Sequence, residues 1–166
     1  VIFYRTAWIS DDALISLRSA LNLIHGEGAV YNLGERVQAY THASWFGLIA
    51  LMPWAVGSPY AALFGLSFAV NALTFGGVAL ILRSQAWSAL ALLICSKAFV
   101  DFANSGLETP LSCLLVALTV LALQRTPQAR PWASIGLLCG ALILPRPDLG
   151  LMLLAILAVH IRAPGL

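Results

Sequence analysis

The sequence predicts an all-α protein: a multi-pass bundle of transmembrane helices with a short helix and a loop in its first external segment. Composition is the first reason, because 60% of the 166 residues are hydrophobic and 10% are charged, with a mean hydropathy of +0.89. Such a chain has too little polar surface to coat a water-soluble domain. We therefore expect a lipid bilayer around it, and the nine scattered cations predict no nucleic-acid partner.

Long apolar runs are the second reason. Residues 60–82 carry no charged side chain, and ~20 apolar residues cross the ~30 Å hydrocarbon core of a bilayer. Four shorter runs are predicted as further spans: 86–100, 110–124, 132–144 and 149–161. Residues 43–57 are short and interrupted by Pro53, so they are either a re-entrant or interfacial segment or a full span.

The domain organisation that follows is one transmembrane catalytic module, of which residues 1–166 are a fragment. The chain opens with Val1, and residues 1–9 resemble the end of a first span. Residues 10–42 form an external helix and loop. Residues 43–166 then supply about five to six membrane helices.

The distribution of charges predicts the topology. Cations prefer cytoplasmic loops, and along this chain cationic and acidic connections alternate. The connections predicted to be cytoplasmic carry Arg83, Arg125, Arg130 and Arg162. Those predicted to be external carry Asp101, Glu108, Arg146 and Asp148. Arg146 violates the rule, which marks it as a candidate functional residue.

Four of the seven acidic residues fall in the segment 10–42. Asp11 and Asp12 begin a helical pattern, and carboxylates are favoured at helix starts by the backbone N–H groups and the helix dipole. Carboxylates at a membrane surface also mark functional cavities, because they are costly to desolvate. Both interpretations stay open on the residues alone.

The helix predicted after Asp11 has two faces. Leu14, Leu17, Leu21 and Ile24 recur at the spacing of one helix face. A polar stripe of Asp11, Arg18, Asn22 and His25 is predicted on the opposite face. Because Asp11 and Arg18 are two turns apart, ~11 Å, they could grip opposite ends of a ligand.

A glycine-rich loop is predicted after this helix, without the glycine spacing of a nucleotide-binding loop. Aromatic residues flank it: Tyr31, Tyr40 and Trp45. Flat amphipathic rings at a water boundary either anchor a protein at the membrane interface or stack on sugars.

Several motifs together resemble the GT-C glycosyltransferases, and more narrowly the actinobacterial terminal arabinofuranosyltransferase group. The similarity rests on DDALISLR and GEGAVYNLGERVQAYTHASW in the first segment, then on SGLETPL at 105–111 and LPRPD at 144–148. This family transfers a sugar from a polyprenyl phosphate to a cell-envelope glycan. The resemblance therefore implies an enzyme of the cytoplasmic membrane, with a lipid-linked donor, a glycan acceptor and an external active site.

The resemblance implies that Asp11 and Asp12 lie in the active site. One of them would take the proton of the acceptor hydroxyl, and the departing phosphate would need a cation or a divalent metal ion. Arg18, Arg36 and Arg146 are the candidate cations, because a guanidinium holds phosphate with paired N–H donors. The other predicted substrate-binding residues are Asn22, Tyr31, Asn32, Glu35, Tyr40, His42, Glu108 and Asp148. Metal ligands are not fixed by the sequence, with Asp11 and Asp12 as candidates.

Each outer motif also has a purely structural alternative. In SGLETP, Thr109 could cap a helix that has Pro110 in its first turn, and Arg146 and Asp148 could pair to order a loop. Lys97 and Asp101 are four residues apart and are predicted to neutralise one another. A multi-pass transporter is the alternative function, because intramembrane charges and glycine-broken helices also suit a permease.

Overall fold

The computed structural model describes residues 5, 7–52, 57–124 and 132–162. The all-α prediction is confirmed for these residues, in which every regular element is a helix. The helices are α1 (Asp11–Ile24), α2 (Ala43–Leu51), α3 (Pro59–Leu82), α4 (Ala86–Cys95), α5 (Lys97–Ala103), α6 (Thr109–Leu123), α7 (Trp132–Ile143) and α8 (Leu149–Arg162). Pro53, Arg125, Arg130 and most of the predicted first-span end lie outside the described residues.

The longest helix, α3, organises the apolar part of the chain. It begins after Ser58, whose hydroxyl accepts from the Ala61 N–H, and its 24 residues span about 36 Å. Its main partner is α6. A Cβ at Gly77 would lie 3.3 Å from the Cβ of Ala117, so glycine allows the two helices to approach closely. α7 packs on α6, and α8 packs on α7.

The apolar run 86–100 forms two helices rather than the one span that was predicted. A short 3-10 turn, Arg83–Gln85, follows α3, and α4 packs back against α3. The break between α4 and α5 falls at Ser96, whose backbone is extended and whose hydroxyl accepts from the Phe99 N–H at 3.3 Å. A capping serine thus starts a new helix inside an apolar run.

In the part of the chain that the structure describes, one helical stretch is long and apolar enough to cross a membrane, Pro59–Cys95. Three apolar helices are shorter: Thr109–Leu123, Trp132–Ile143 and Leu149–Val159. The multi-pass bundle therefore stays a prediction. α2 has nine residues, about 14 Å of helix, which favours the re-entrant or interfacial alternative for this segment over a full span.

α1 and α2 pack together against the N-terminal half of α3. Their shared core contains Ala13, Leu17, Ala20, Trp45, Phe46, Ile49, Leu63, Leu66 and Val70. The predicted division of α1 into a leucine face and a polar face is wrong for Leu14, which is exposed. Small residues such as Ala13 and Ala20 occupy the buried face instead, because they allow neighbouring backbones to approach closely.

Trp45 is fully buried and belongs to this core. Its indole Nε1–H donates to the carbonyl oxygen of Gly106 at 2.9 Å. It therefore serves neither as an interface anchor nor as a surface for sugar stacking, the two uses that the sequence predicted.

Candidate active site

The segment before α6 is fixed against the first external helix by backbone contacts. The Ser10 N–H donates to the carbonyl oxygen of Ser105 at 3.0 Å, and the Trp8 N–H donates to that of Asn104 at 3.4 Å. The Trp45 side chain holds the next carbonyl, that of Gly106. These bonds bring residues 104–108 beside the start of α1, although almost a hundred residues separate them in sequence.

Gly106 is required at the point of closest approach. Its φ is +80°, and a Cβ there would lie 3.0 Å from Leu63 Cδ2 and 3.1 Å from Ala13 Cβ. Only glycine adopts such a backbone freely and also leaves room for these two neighbours. Three helices thus converge on Gly106, and Glu108 follows two residues later.

A chain of polar side chains extends from α1 to the loop before α8. Ser16 Oγ lies 2.9 Å from His42 Nε2, and His42 Nδ1 lies 3.6 Å from Glu108 Oε2. Glu108 Oε1 lies 3.6 Å from Arg146 Nη1. Ser16, His42 and Glu108 are all buried, so their mutual contacts replace the water they have lost.

Glu108 is available for these contacts because it does not cap its own helix. It is the N-cap residue of α6, but its side chain makes no capping hydrogen bond. The alternative with Thr109 as the cap is therefore wrong, because Thr109 is the first helical residue. Pro110 does lie in the first turn, as predicted. The carboxylate stays near the positive end of the helix dipole, which suits its charge.

Arg146 forms a two-pronged ion pair with Asp148. Its Nε donates to Asp148 Oδ1 at 3.0 Å and its Nη2 to Oδ2 at 2.9 Å. The hydrogen bond from Arg146 holds the pKa of Asp148 below its ordinary value. The same hydrogen bond, with the nearby charges of Asp148 and Glu108, raises the pKa of Arg146. The predicted loop-ordering pair exists, and it leaves a permanent cation beside Glu108.

A cavity of about 290 Å³ opens beside this chain of side chains, and we call it the polar cavity. It is lined by Asp12, Ser16, Ala39, Tyr40, Thr41, His42, Leu107 and Glu108. Asp12 thus shares one cavity with His42 and Glu108. This arrangement can accept a hydroxyl proton and bind the hydroxyl groups of a sugar.

Asp11 lines a different cavity of about 550 Å³, which we call the tyrosine cavity. Its walls include Leu14, Arg18, Tyr31 and Tyr60. The two neighbouring aspartates therefore belong to separate cavities. Both also lie in the first turn of α1, where Ser10 is the N-cap and accepts from the Ala13 N–H at 3.1 Å, so the helix-start role coexists with either cavity.

The loop after α1 is held by its own predicted site residues. Asn22 Nδ2 donates to the carbonyl oxygens of Val30 and Tyr31 at 2.8 and 3.3 Å, so Asn22 fixes the loop. The Arg18 guanidinium carbon lies 4.4 Å from the centroid of the Tyr31 ring. Asp11 and Arg18 thus line one cavity, as the predicted stripe requires, whereas Asn22 is used structurally.

The remaining predicted residues of the loop are more exposed. Asn32 Nδ2 donates to Glu35 Oε2 at 3.0 Å, and both side chains are exposed. Tyr40 stacks on Phe46 with ring centroids 3.9 Å apart, so part of its ring belongs to the core. Arg36 is exposed and does not line the polar or the tyrosine cavity.

A metal site at the aspartates receives no support from the donor set. Within the described residues, no three His, Cys, Asp or Glu side chains converge, and Asp11 and Asp12 line separate cavities. We therefore derive no step through a metal ion. The predicted pair of Lys97 and Asp101 is present as an i, i+4 ion pair outside the cavities.

Sequence reasoning missed three residues of the site. Ser16 lies one turn after Asp12 and therefore on the same helix face, a signal that could have found it. Gly106 within SGLETP was available as a candidate positive-φ position. Tyr60 carries no local signal, because its place in the tyrosine cavity depends on how α3 packs against α1.

A second, apolar space begins on the far side of Arg146. This apolar groove, about 490 Å³ in volume, is lined by Thr74, Val78, Ile81, Leu82, Leu93, Phe99, Thr109, Ser112, Cys113, Val116, Ala117, Val120, Arg146, Leu149 and Met152. Its lining follows α6 from Thr109 to Val120, about 17 Å along the helix. Arg146 therefore contacts both spaces: it lines the groove and pairs with Glu108, which lines the polar cavity.

Comparison with known proteins gives two curated relatives. Over 171 aligned positions the chain is 30% identical to the terminal β-(1→2)-arabinofuranosyltransferase of Mycobacterium tuberculosis, covering 90% of this chain and 27% of the relative. Over 129 positions it is 36% identical to the protein of the same name from Corynebacterium glutamicum, covering 70% of this chain and 18% of the relative. No family model and no solved structure matches the chain. The chain spans about a quarter or less of each relative's length, and it belongs to the terminal arabinofuranosyltransferase group that its motifs resemble.

Proposed function

We propose that the chain forms part of the catalytic module of a GT-C membrane glycosyltransferase, which transfers an arabinofuranosyl group from a polyprenyl phosphate to a cell-envelope glycan. The names of both relatives support sugar transfer. The lipid-phosphate donor, the glycan acceptor and the external active site are our proposals, and the geometry around Arg146 supports them.

The observation that carries the proposal is the position of Arg146 between two unlike spaces. The apolar groove suits an isoprenoid tail, because burial of apolar surface is worth ~25 cal/mol per Å². The polar cavity suits a sugar, because Asp12, His42 and Glu108 supply hydrogen-bonding groups. Arg146, at the junction, suits the phosphate that joins tail and sugar in a lipid-linked donor.

In the proposed reaction, an acceptor hydroxyl oxygen forms a bond to the anomeric carbon of the donor sugar. The bond from that carbon to the phosphate oxygen breaks, and its electron pair leaves with the lipid phosphate. Asp12 receives the hydroxyl proton as general base. Arg146 stabilises the charge that develops on the departing phosphate, while Glu108 and His42 orient the sugar.

The site residues also support the proposed topology. The segment 10–42, Glu108 and Asp148 meet in one cluster, so an even number of crossings would separate them. α3 followed by α4 and α5 supplies one such pair, and α6 followed by α7 supplies the next. Arg83 and residues 125–130 then fall on the opposite face, which agrees with the preference of cations for the cytoplasm.

The transporter alternative is not favoured. Transporter sites are built near the bilayer midplane, commonly from broken helices. Asp12, Glu108 and Arg146 instead lie in the first turn of a helix, at a helix start and in a loop.

The test is transfer by the full-length protein in membranes or detergent, with a polyprenyl-phosphate pentofuranose as donor and an oligosaccharide as acceptor. We expect Arg146→Gln to lower kcat/KM about 100-fold, which corresponds to the ~3 kcal/mol of a lost charged hydrogen-bonding group. Lys97→Gln is the matched control, because it also removes one cation, is exposed and lines neither space. It should retain wild-type activity.

Two outcomes would contradict the proposal. The first is equal activity of Arg146→Gln and Lys97→Gln. The second is donor uptake into sealed vesicles without transfer to the acceptor, which would support the transporter instead.

A further inference from the structure

Three cavities lie side by side along α1 and the loop that follows it. Between the polar cavity and the tyrosine cavity lies a third, of about 420 Å³, which we call the loop cavity. It shares Ala39 with the polar cavity, and Ile15 and Tyr31 with the tyrosine cavity. The three cavities therefore form one groove, the loop groove, which extends from Glu108 to Tyr60.

The geometry of α1 explains this continuity. Successive helical residues are about 100° apart around the axis. Ser16 therefore projects about 100° to one side of Ile15, and Arg18 about 60° to the other. Ser16 lines the polar cavity, Ile15 lines the loop and tyrosine cavities, and Arg18 lines the tyrosine cavity. The groove thus crosses the exposed surface of the helix in a single sweep.

The walls of the loop groove combine flat rings with charged groups. Tyr31 is half-buried, its ring is covered on one side by Arg18 at 4.4 Å, and its backbone is held by Asn22. Asp11 and Glu35 are exposed at the same walls. A fixed aromatic ring with carboxylate and guanidinium neighbours is suited to a sugar, which offers an apolar ring face and polar hydroxyls.

We propose, on the basis of the function proposed above, that the loop groove binds the acceptor glycan as a chain of at least two sugar residues. Its terminal residue occupies the polar cavity, with the reacting hydroxyl at Asp12. The preceding residue lies against Tyr31 and Arg18. Asp11 then binds the acceptor, while Asp12 reacts with it.

The donor does not compete for this groove. An isoprenoid tail needs apolar walls, which lie beyond Arg146 in the apolar groove. The loop groove spans three cavities, more than one sugar residue fills, whereas the proposed donor carries a single sugar. Donor and acceptor would therefore approach the polar cavity from opposite sides of the ion pair between Glu108 and Arg146.

The test compares acceptors of one, two and three sugar residues with the full-length protein. We expect Tyr31→Ala to raise KM about tenfold for the longer acceptors, a change of ~1.4 kcal/mol, and to leave KM for the one-residue acceptor and for the donor unchanged. Tyr31→Phe should restore most of the loss, because it keeps the ring. The control is Leu33→Ala, since Leu33 is exposed in the same loop and lines none of the three cavities.

Direct binding separates this inference from the proposed function. Saturation-transfer NMR of the trisaccharide acceptor without donor should give contacts that Tyr31→Ala weakens and Leu33→Ala retains. Equal KM effects for all acceptor lengths, or an effect on donor KM, would overturn the acceptor groove while leaving the transferase intact. Wild-type protein that binds the trisaccharide through Tyr31 but transfers no sugar would keep the groove and overturn the proposed reaction.

Discussion

The polar cavity and the apolar groove meet at one ion pair, but they are constructed in different ways. The polar cavity collects side chains from α1, the loop after it and the α6 N-terminus, and backbone contacts at Ser105 and Gly106 hold these parts together. The apolar groove is formed by side chains of α3, α6 and α8, together with neighbouring residues. The difference teaches that the first space depends on a few irreplaceable positions, whereas many exchangeable ones form the second.

The largest effect is expected at Asp12. Replacing the general base with Asp12→Asn should lower kcat by about 10²–10⁴-fold, with little change in donor KM. Asp11→Asn should keep kcat within about tenfold of wild type and raise acceptor KM, because Asp11 lines the tyrosine cavity. Steady-state kinetics of the full-length protein separates the two effects.

This pair of variants also tests the division between the aspartates. The sequence alone predicts loss of activity for either residue. Equal losses of kcat in Asp11→Asn and Asp12→Asn would show that the two carboxylates act together despite lining separate cavities. Membrane insertion of both variants is the control for folding.

Gly106→Ala should damage the polar cavity through its frame. A non-glycine residue at φ +80° costs about 1–2 kcal/mol, and the new Cβ must also displace Leu63 and Ala13. We expect the free energy of unfolding to fall by about 1–3 kcal/mol, as measured by thermal unfolding in detergent, together with reduced transfer. The control is Gly76→Ala, because Gly76 is helical and has no neighbour within 4 Å of a Cβ.

An unchanged unfolding temperature in Gly106→Ala would show that the segment before α6 tolerates a shift. A comparable loss in Gly76→Ala would show that both glycines matter for a reason other than the approach of α1. In a helix, glycine to alanine should itself be neutral or stabilising by up to about 1 kcal/mol.

Sequence patterns predicted the parts of the molecule that depend on composition and local order. The charge-free run at 60–82 predicted α3 almost to the residue. The motifs around His42, Glu108 and Arg146 predicted residues that the structure brings together within 3.6 Å. Their roles in catalysis and binding stay predictions.

What the sequence did not predict depends on packing between distant segments. Asp11 and Asp12 differ by about 100° around α1, and only the approach of the loop and α6 decides which cavity each one lines. Trp45 resembles an interfacial aromatic in sequence, but its burial follows from the carbonyl of Gly106. Leu14 fits the apolar period of α1, yet it is exposed because small residues form the packed face.

The smallest effect is expected in the apolar groove, where Val116→Trp would fill part of the space proposed for the isoprenoid tail. Overpacking typically costs about 1–3 kcal/mol, and relaxation of the surrounding apolar side chains should keep the rise in donor KM to about tenfold or less. Because the added ring blocks the groove and not the polar cavity, donors with a tail too short to reach Val116 should be unaffected. Leu151→Trp is the control, since Leu151 is exposed on α8 and does not line the groove. A KM that rises equally for short and long tails would separate the groove from the donor and leave Arg146 as a contact for the phosphate alone.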